Sequence, residues 1–343
     1  MNWIFPQNYQ ALLTPRETEG AIQRIRDFFQ SQLSVALNLR RVTAPILVRS
    51  GTGINDDLNG IEQPVRFVIK NGGRVEVEIV QSLAKWKRLS LSDLQMRAGE
   101  GLVADMNAIR PDEELDNLHS VYVDQWDWER VITPADRTVE FLEYVVRKIY
   151  RVIRETEIYV HHQYPCIEPI LPEEITFRHA EELLGRYPGM TPREREDAAC
   201  RDFGAVFIAG IGAPLADGRP HDGRAPDYDD WTTPNGTGLG LNGDILVWYP
   251  VLGRALELSS MGIRVDAAAL DRQLRLTGTE SRRSLQFHRR LLDGGLPPSV
   301  GGGIGQSRLC LFFLRKAHIG EVQAGIWPEE MSSRCRERGI HLF

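Results

Sequence analysis

The chain has 343 residues, 42% hydrophobic and 26% charged, an ordinary profile for a globular protein that buries a large core. Its 41 Lys and Arg stand against 47 Asp and Glu, for a formal net charge of −6, which excludes a broad polyanion-binding surface but leaves room for a local basic pocket. Cys166, Cys200, Cys310 and Cys335 have neither zinc-knuckle spacing nor the density of a disulfide scaffold, no basic-then-apolar leader opens the chain, and no run of about 18 apolar residues suits a membrane, so the expectation is a cytoplasmic protein with reduced thiols and no membrane partner.

The first predicted element is a helix from Thr14 to about Leu39. Thr14, Pro15 and Glu17 form an N-terminal signature of capping hydroxyl, first-turn proline and third-position glutamate. Ile22, Ile25, Phe29, Leu33 and Ala36 then repeat at three and four, one helical stripe. Residues 42–48 predict a strand interrupted by Pro45, hence an edge, a bulge or an interface. Val65, Phe67 and Ile69 alternate, as do Val75, Val77 and Ile79, across Asn71-Gly72-Gly73, which predicts a hairpin.

From Ser120 to Glu129 the alternation puts Val121, Val123, Gln125, Asp127 and Glu129 on one face, with Tyr122, Asp124, Trp126 and Trp128 on the other. A long helix is predicted over 139–161. Strands follow over 203–211, 245–251 and 256–260, with helices over 267–276, 281–292 and 307–316. Residues 217–243, rich in Gly, Pro and Asp, suit a long functional loop. Hairpins without regular βαβ alternation predict an α+β fold, a mostly antiparallel sheet flanked by helices. The chain reads as a single catalytic domain over 1–343, with its core at about 14–328 and a short tail, 329–343, in which no feature stands out.

Three segments carry chemistry. Gly301-Gly302-Gly303-Ile304-Gly305 runs through Gln306 and Ser307 to Arg308 and an apolar stretch. It is either a glycine-rich helix start that brings backbone to a ligand or a tight packing corner. Ile109 and Arg110 lead by a loop into the strand bearing Gln125, Asp127 and Glu129. That polar face either serves a site or is simply solvated, because buried polar groups left unpaired cost ~1–3 kcal/mol each. Asp244 and Glu257 suit adjacent strands that hold a hard cation such as Mg²⁺; alternatively, Glu257 pairs with Arg264.

These segments together resemble the catalytic core of class II aminoacyl-tRNA synthetases. Arg110 with Gln125, Asp127 and Glu129 resembles the second motif of that superfamily. Glu257, Gly262 and Arg264, with the Arg308 segment, resemble the third. The helix from Thr14 and its Pro45 strand are similar to the first, which forms the dimer interface there, so the resemblance implies a homodimer through residues 14–48. Ser82 to Arg88, His119 to Glu129, Arg224 to Trp231, Leu241 to Leu246, Glu257 to Val265 and Gly301 to Leu309 sharpen the resemblance to the ammonia-dependent aspartate–ammonia ligase family, over about 14–328. Ala180 and Tyr249 depart from its pattern, where Ser and Asn are usual.

That resemblance implies synthesis of asparagine from L-aspartate, ATP and ammonia through a β-aspartyl adenylate, releasing AMP and diphosphate. Arg110 and Arg308 would hold the nucleotide and its phosphates, with Ser120, Ser259, Asp244 and Glu257 completing the ATP site. Asp244 and Glu257 would carry Mg²⁺. Asp127 and Asp229 would bind the substrate ammonium, Lys87 and Ser82 its α-carboxylate, and Gln125 would orient the carboxyl to be activated. Asp56 would hold ammonium and take a proton from it, although turn chemistry alone makes it an aspartate capping a glycine-rich loop, Gly51 to Asp57. A first motif beginning by Thr14 is expected to leave no space for an oligonucleotide-binding module, so no nucleic-acid partner is implied. The alternatives are a catalytically silent synthetase relative that binds aspartate or nucleotide, and a true aspartyl- or asparaginyl-tRNA synthetase.

Overall fold

The computed structural model describes residues 3–56, 58, 62–71 and 73–343; Asp57 of the glycine loop and Gly72 of the hairpin turn lie outside them. Helix α1 (Pro15–Leu37) begins on the expected capping box: the Glu17 amide donates to the Thr14 hydroxyl at 3.3 Å, and the Thr14 amide to the Glu17 carboxylate at 2.9 Å. It stops at Asn38, which takes a left-handed conformation (φ 57°) suited to Asn. The single strand expected over 42–48 is instead two, β1 (Leu39–Arg41) and β2 (Leu47–Arg49), in different sheets. Pro45, without an N–H to give a ladder, falls in the break.

The hairpin forms as β3 (Arg66–Ile69) on β4 (Val75–Ile79) and, with β2, makes a small antiparallel sheet. Helix α2 (Ala84–Asp93) leads to β5 (Gly101–Ile109), β6 (Tyr122–Val131) and the long α3 (Val139–Gln163). Then come β7 (Thr176–His179), α4 (Ala180–Arg186), α5 (Pro192–Phe203) and β8 (Ala205–Ala209). The strand expected from Phe203 starts later because α5 ends there, capped by Gly204 at φ 76°. Strands β9 (Asn242–Tyr249) and β10 (Arg254–Ile263) and helix α6 (Ala267–Leu276) match their expected places. The helix expected over 281–292 breaks at extended Leu285 into a 3₁₀ turn and α7 (Gln286–Leu292). Strand β11 (Ser299–Gly305), α8 (Gln306–Phe313) and α9 (Glu329–Glu337) complete the order.

Among the described residues eight strands form one sheet in the order β1-β5-β6-β11-β10-β9-β8-β7. Only the outer pairs β1–β5 and β7–β8 are parallel, so the sheet is mostly antiparallel as expected. The apolar stripe of α1 packs beneath it, with Phe29 4.7 Å from Trp126 between ring centroids. Helix α1 also lies against α3, where Phe28 stacks on Tyr159 at 4.3 Å. One face of the central strands is thereby consumed by the core. The other is left for polar side chains. Tyr249 is buried and donates its hydroxyl to the carbonyls of Leu311 and Lys316, which accounts for a large polar residue at that position.

The segment after 328 is not a bare tail. Met331, Cys335 and Ile340 pack with Ala317, and the Phe343 amide donates to Gly320 O at 2.8 Å. His318 anchors this region: its Nδ1 accepts from the Gly320 amide at 3.0 Å and Trp327 lies edge-on to its ring. Burial pushes the His318 imidazole down to about 4, against the raising effect of Asp116. A group lowered from 6.5 to about 4 contributes stability that is full above pH 6.5 and is lost as pH falls toward 4. Urea unfolding at pH 7 and 4.5 is therefore expected to show the native chain losing ~2–3 kcal/mol more than His318→Asn, which keeps a capping side chain. Equal losses would contradict this account of His318.

Candidate active site

The polar face of β6 is built by strand alternation. Trp126 and Trp128 point into the core at 0% exposure, so Gln125, Asp127 and Glu129 point to the opposite side. That side is not solvated: Asp127 and Glu129 are buried and Gln125 is half-buried. Next to them runs β11, with Gly301 opposite Glu129, Gly303 opposite Asp127 and Gly305 opposite Gln125. The glycine run does lead into α8 at Gln306 as expected, but it is itself a central strand, and its glycines have a packing cause. A Cβ on Gly301 would sit 1.9 Å from Glu129 Oε2, and one on Gly303 2.3 Å from Gln125 Oε1. Bare backbone lets the acidic and amide side chains of β6 cross over its neighbour.

A buried ion web fills the space above this floor. Arg264, at the end of β10, donates to both Glu129 oxygens, at 2.8 Å from Nη2 and 3.0 Å from Nε, and its Nη1 contacts Asp229. Ser299 adds a 2.7 Å bond to Glu129. The alternative pairing of Arg264 with Glu257 is therefore not made. From α2, Lys87 Nζ pairs with Asp127 and donates to Gly302 O at 2.8 Å. Burial acts against every charge here, yet Arg264 holds the Glu129 carboxyl below its ordinary range. Asp229, with a single guanidinium contact, is pushed up by burial despite Arg264. Lys87 is lowered by burial, which outweighs Asp127.

Beside the web opens a cavity of about 360 Å³ whose walls include Arg110, Ser120, Gln125, Tyr228, Glu257 and Arg308. Arg110, just beyond β5, donates to Gln81 O at 3.2 and 3.3 Å. Arg308 sits in the first turn of α8 and lies 3.4 Å from Glu257 Oε2. Asp244 on β9 and Glu257 on β10 do occupy adjacent strands, Asp244 opposite Ser260. Asp244 pairs with Arg224, another cavity residue, while its Oδ1 is buried with no hydrogen-bond partner. Burial, with Glu257 adding to it, pushes the Asp244 carboxyl up against the effect of Arg224. Among the described residues no group of three metal-ligating side chains forms, so these two carboxylates would hold a cation only with phosphate or water oxygens.

Three other expected residues, Ser259, Ser82 and Asp56, lie outside the lining of this cavity. A bulge between Glu257 and Ser259 shifts the register, so Ser260 lines the cavity while the buried Ser259 hydroxyl finds no partner. Ser82 is half-buried at the start of α2, its hydroxyl accepting from the Ala84 amide at 3.1 Å. Asp56, 2% exposed, lies on a neighbouring cavity with Lys85, Asp227, Arg282 and His288. It is joined to Arg110 through Gln81, whose Nε2 donates to Asp56 O at 2.9 Å. Arg264, Arg224 and the Lys85–Asp227–His288 group had no assigned role from sequence; apart from Asp222 beside Arg224, their ion-pair partners are 20 to 142 positions away in the chain, a distance no local pattern reports.

The family model for aspartate-ammonia ligase matches residues 16–339. An aspartate–ammonia ligase of Bacteroides thetaiotaomicron is 59% identical over 341 residues, 99% of each chain. One of Clostridium perfringens is 56% identical over 340 residues, again 99% of each. Among solved structures, asparaginyl-tRNA synthetase from Pyrococcus horikoshii complexed with asparaginyl-adenylate aligns with a TM-score of 0.66 at 15% identity, over 91% of this chain and 70% of that one. The corresponding Entamoeba histolytica enzyme gives 0.63 at 14%, over 90% and 66%. At such identity these two show a shared fold alone.

The two crowded glycines of β11 differ in what they would displace. Gln125 Oε1 is the free end of a side chain at a cavity, whereas Glu129 Oε2 is pinned by Arg264. Gly303→Ala is therefore expected to cost ~1–3 kcal/mol, as ordinary overpacking does. Gly301→Ala is expected to cost more, ~3–5 kcal/mol, because it breaks a buried ion pair. Denaturant unfolding measures both, and the reverse order would contradict the assigned roles.

Proposed function

Since the chain belongs to the aspartate–ammonia ligase family and makes asparagine from aspartate and ammonia with ATP, we propose that the cavity bounded by β6, β10 and β11 is where both half-reactions occur. The observation that carries this assignment is the charge of the buried web. Asp127, Glu129 and Asp229 supply three carboxylates against the two cations Lys87 and Arg264. Within these ion pairs one negative charge is left over, and Asp127 Oδ2 is buried with no hydrogen-bond partner. A substrate ammonium completes both the charge and the hydrogen bonding. Asp127 and Asp229 hold it, while Lys87 and Ser82 receive the α-carboxylate.

With the amino acid fixed at that end, its side-chain carboxylate reaches the cavity beside Gln125, which orients it. One carboxylate oxygen attacks the α-phosphorus of ATP, a P–O bond to the outer phosphates breaks, and diphosphate leaves. Arg110 neutralises charge developing at the α-phosphate, and Arg308 holds the nucleotide from the other wall with Ser120 and with Ser260, which lines the cavity where Ser259 was expected. Asp244 and Glu257 fit a Mg²⁺ site: they are oxygen donors on adjacent strands, one with a buried unpartnered oxygen. Such an ion supplies neutralisation of the departing diphosphate. Ammonium then loses a proton to Asp56, the nitrogen attacks the acyl carbon, and AMP is expelled.

A homodimer through residues 14–48 is part of the proposal, supported by the exposure of Val35 and Ile46 on that segment. The net charge of −6 favours small substrates over a nucleic-acid partner.

The two half-reactions separate experimentally. Asp56→Asn is expected to retain aspartate-dependent exchange of diphosphate into ATP and to lose asparagine formation by about 100-fold or more, the scale of a lost general base. Parallel loss of exchange and amide formation would show that Asp56 serves the first step instead.

A further inference from the structure

The adenylate fills the first cavity once it has formed, so nitrogen needs another approach to the acyl carbon. A second cavity of about 350 Å³ adjoins the first, with Asp56 on its wall and Glu62 lining both. The 50–53 loop and the 282–288 segment enclose it, and Leu285 presses against Gly53, where an added Cβ would lie 2.9 Å away.

Its inner wall carries two acceptors that no described residue uses. Asp227, fully buried, takes all its contacts on one oxygen: Oδ2 lies 2.9 Å from Arg282 Nη1, 3.0 Å from His288 Nε2 and 3.3 Å from Lys85 Nζ. Asp227 Oδ1 is buried with no hydrogen-bond partner. The His288 Nε2–H donating to Asp227 leaves Nδ1 as an acceptor, and His288 Nδ1 is likewise buried without a partner. Among the described residues, the charges that line the cavity are the carboxylates Asp56, Glu62, Glu78 and Asp227 against Arg66, Lys85 and Arg282. These described side chains leave one negative charge in excess. Two waiting acceptors and one surplus negative charge select a small monocation that only donates hydrogen bonds. An anion is refused by the same acceptors. Lys85 and Arg282 are engaged by Oδ2, so they brace the wall without occupying its free oxygen. Lys85 also lies 3.9 Å from Asp56 Oδ1, which ties this wall to the residue assigned to the amide step.

We infer that the second cavity is the port by which ammonium reaches Asp56, with Asp227 Oδ1 and His288 Nδ1 as its holding site. The inference rests on the role proposed for Asp56. No bond is made or broken in the port; ammonium passes from it to the Asp56 carboxylate intact.

The test is steady-state asparagine synthesis by the full chain, with ammonium chloride varied at saturating aspartate and ATP. Leu285→Trp narrows the mouth and His288→Phe removes the wall acceptor, and either alone suffices if the other does not fold. Each is expected to raise KM for ammonium tenfold or more, with kcat at saturating ammonium reduced less than threefold and KM for aspartate moved far less than that for ammonium. Equal rises in the KM for aspartate and ammonium would overturn the inference, because the cavity would then only prop the substrate site. An unchanged KM for ammonium in Leu285→Trp would overturn it as well. Failure of the Asp56 role is seen separately, as an Asp56→Asn enzyme that still forms asparagine, and does not alter these KM values.

Discussion

The site depends on one buried guanidinium. Arg264 binds Glu129 on β6 and Asp229 in the irregular segment before β9, while its own backbone amide donates to Ser299 O on β11 at 2.8 Å. Its carbonyl in turn accepts from Arg137, which pairs with Asp230 at 2.6 Å. Three strands and the loop that supplies Asp229 are thereby tied together on the polar face of the sheet, opposite the apolar core. An ion pair this deep gains little stability over a hydrophobic replacement, and losing either partner leaves an uncompensated buried charge. Its use here is positional: it fixes Glu129 and Asp229 on one cation, while Asp127 is left to Lys87 and to a substrate ammonium.

That arrangement explains the glycine excess of the chain, 31 residues, at the positions that matter most. Gly301 and Gly303 do not wait for a ligand to approach. They make way for Glu129 and Gln125, which would otherwise be displaced by a Cβ. Gly262 does the same for Asp229, since a Cβ there would lie 2.7 Å from its Oδ1. Chain flexibility is a poor description of these residues; they are absent side chains that give polar ones their room.

Local rules made much of the fold legible. The capping box at Thr14, the alternation from Ser120 to Glu129 and the hairpin around residues 69–75 each depend on near neighbours, and each is found. The β11 strand was hidden because glycine carries no strand signal of its own and its cause lies on β6. The break at Leu285 was hidden for a similar reason, its extended backbone meeting the distant Gly53 loop. At the site, Arg110, Gln125, Glu257 and Arg308 were readable as motif residues and line one cavity. Arg264 was readable as a motif residue but not by its partners, Glu129 and Asp229, which follow from sheet order. The Asp227 group was unreadable, since Lys85, Asp227 and His288 come from three separate stretches.

The shared fold with asparaginyl-tRNA synthetases extends to the sheet and its helices. The central claim is narrower: the side-chain carboxylate of aspartate, placed by the charged web, attacks the α-phosphorus. Aspartate carrying ¹⁸O in its side-chain carboxylate measures this directly. The account predicts one labelled oxygen transferred to the phosphate of AMP for each asparagine formed, with the other retained in the amide. Unlabelled AMP, or label recovered in ADP or orthophosphate, would contradict it.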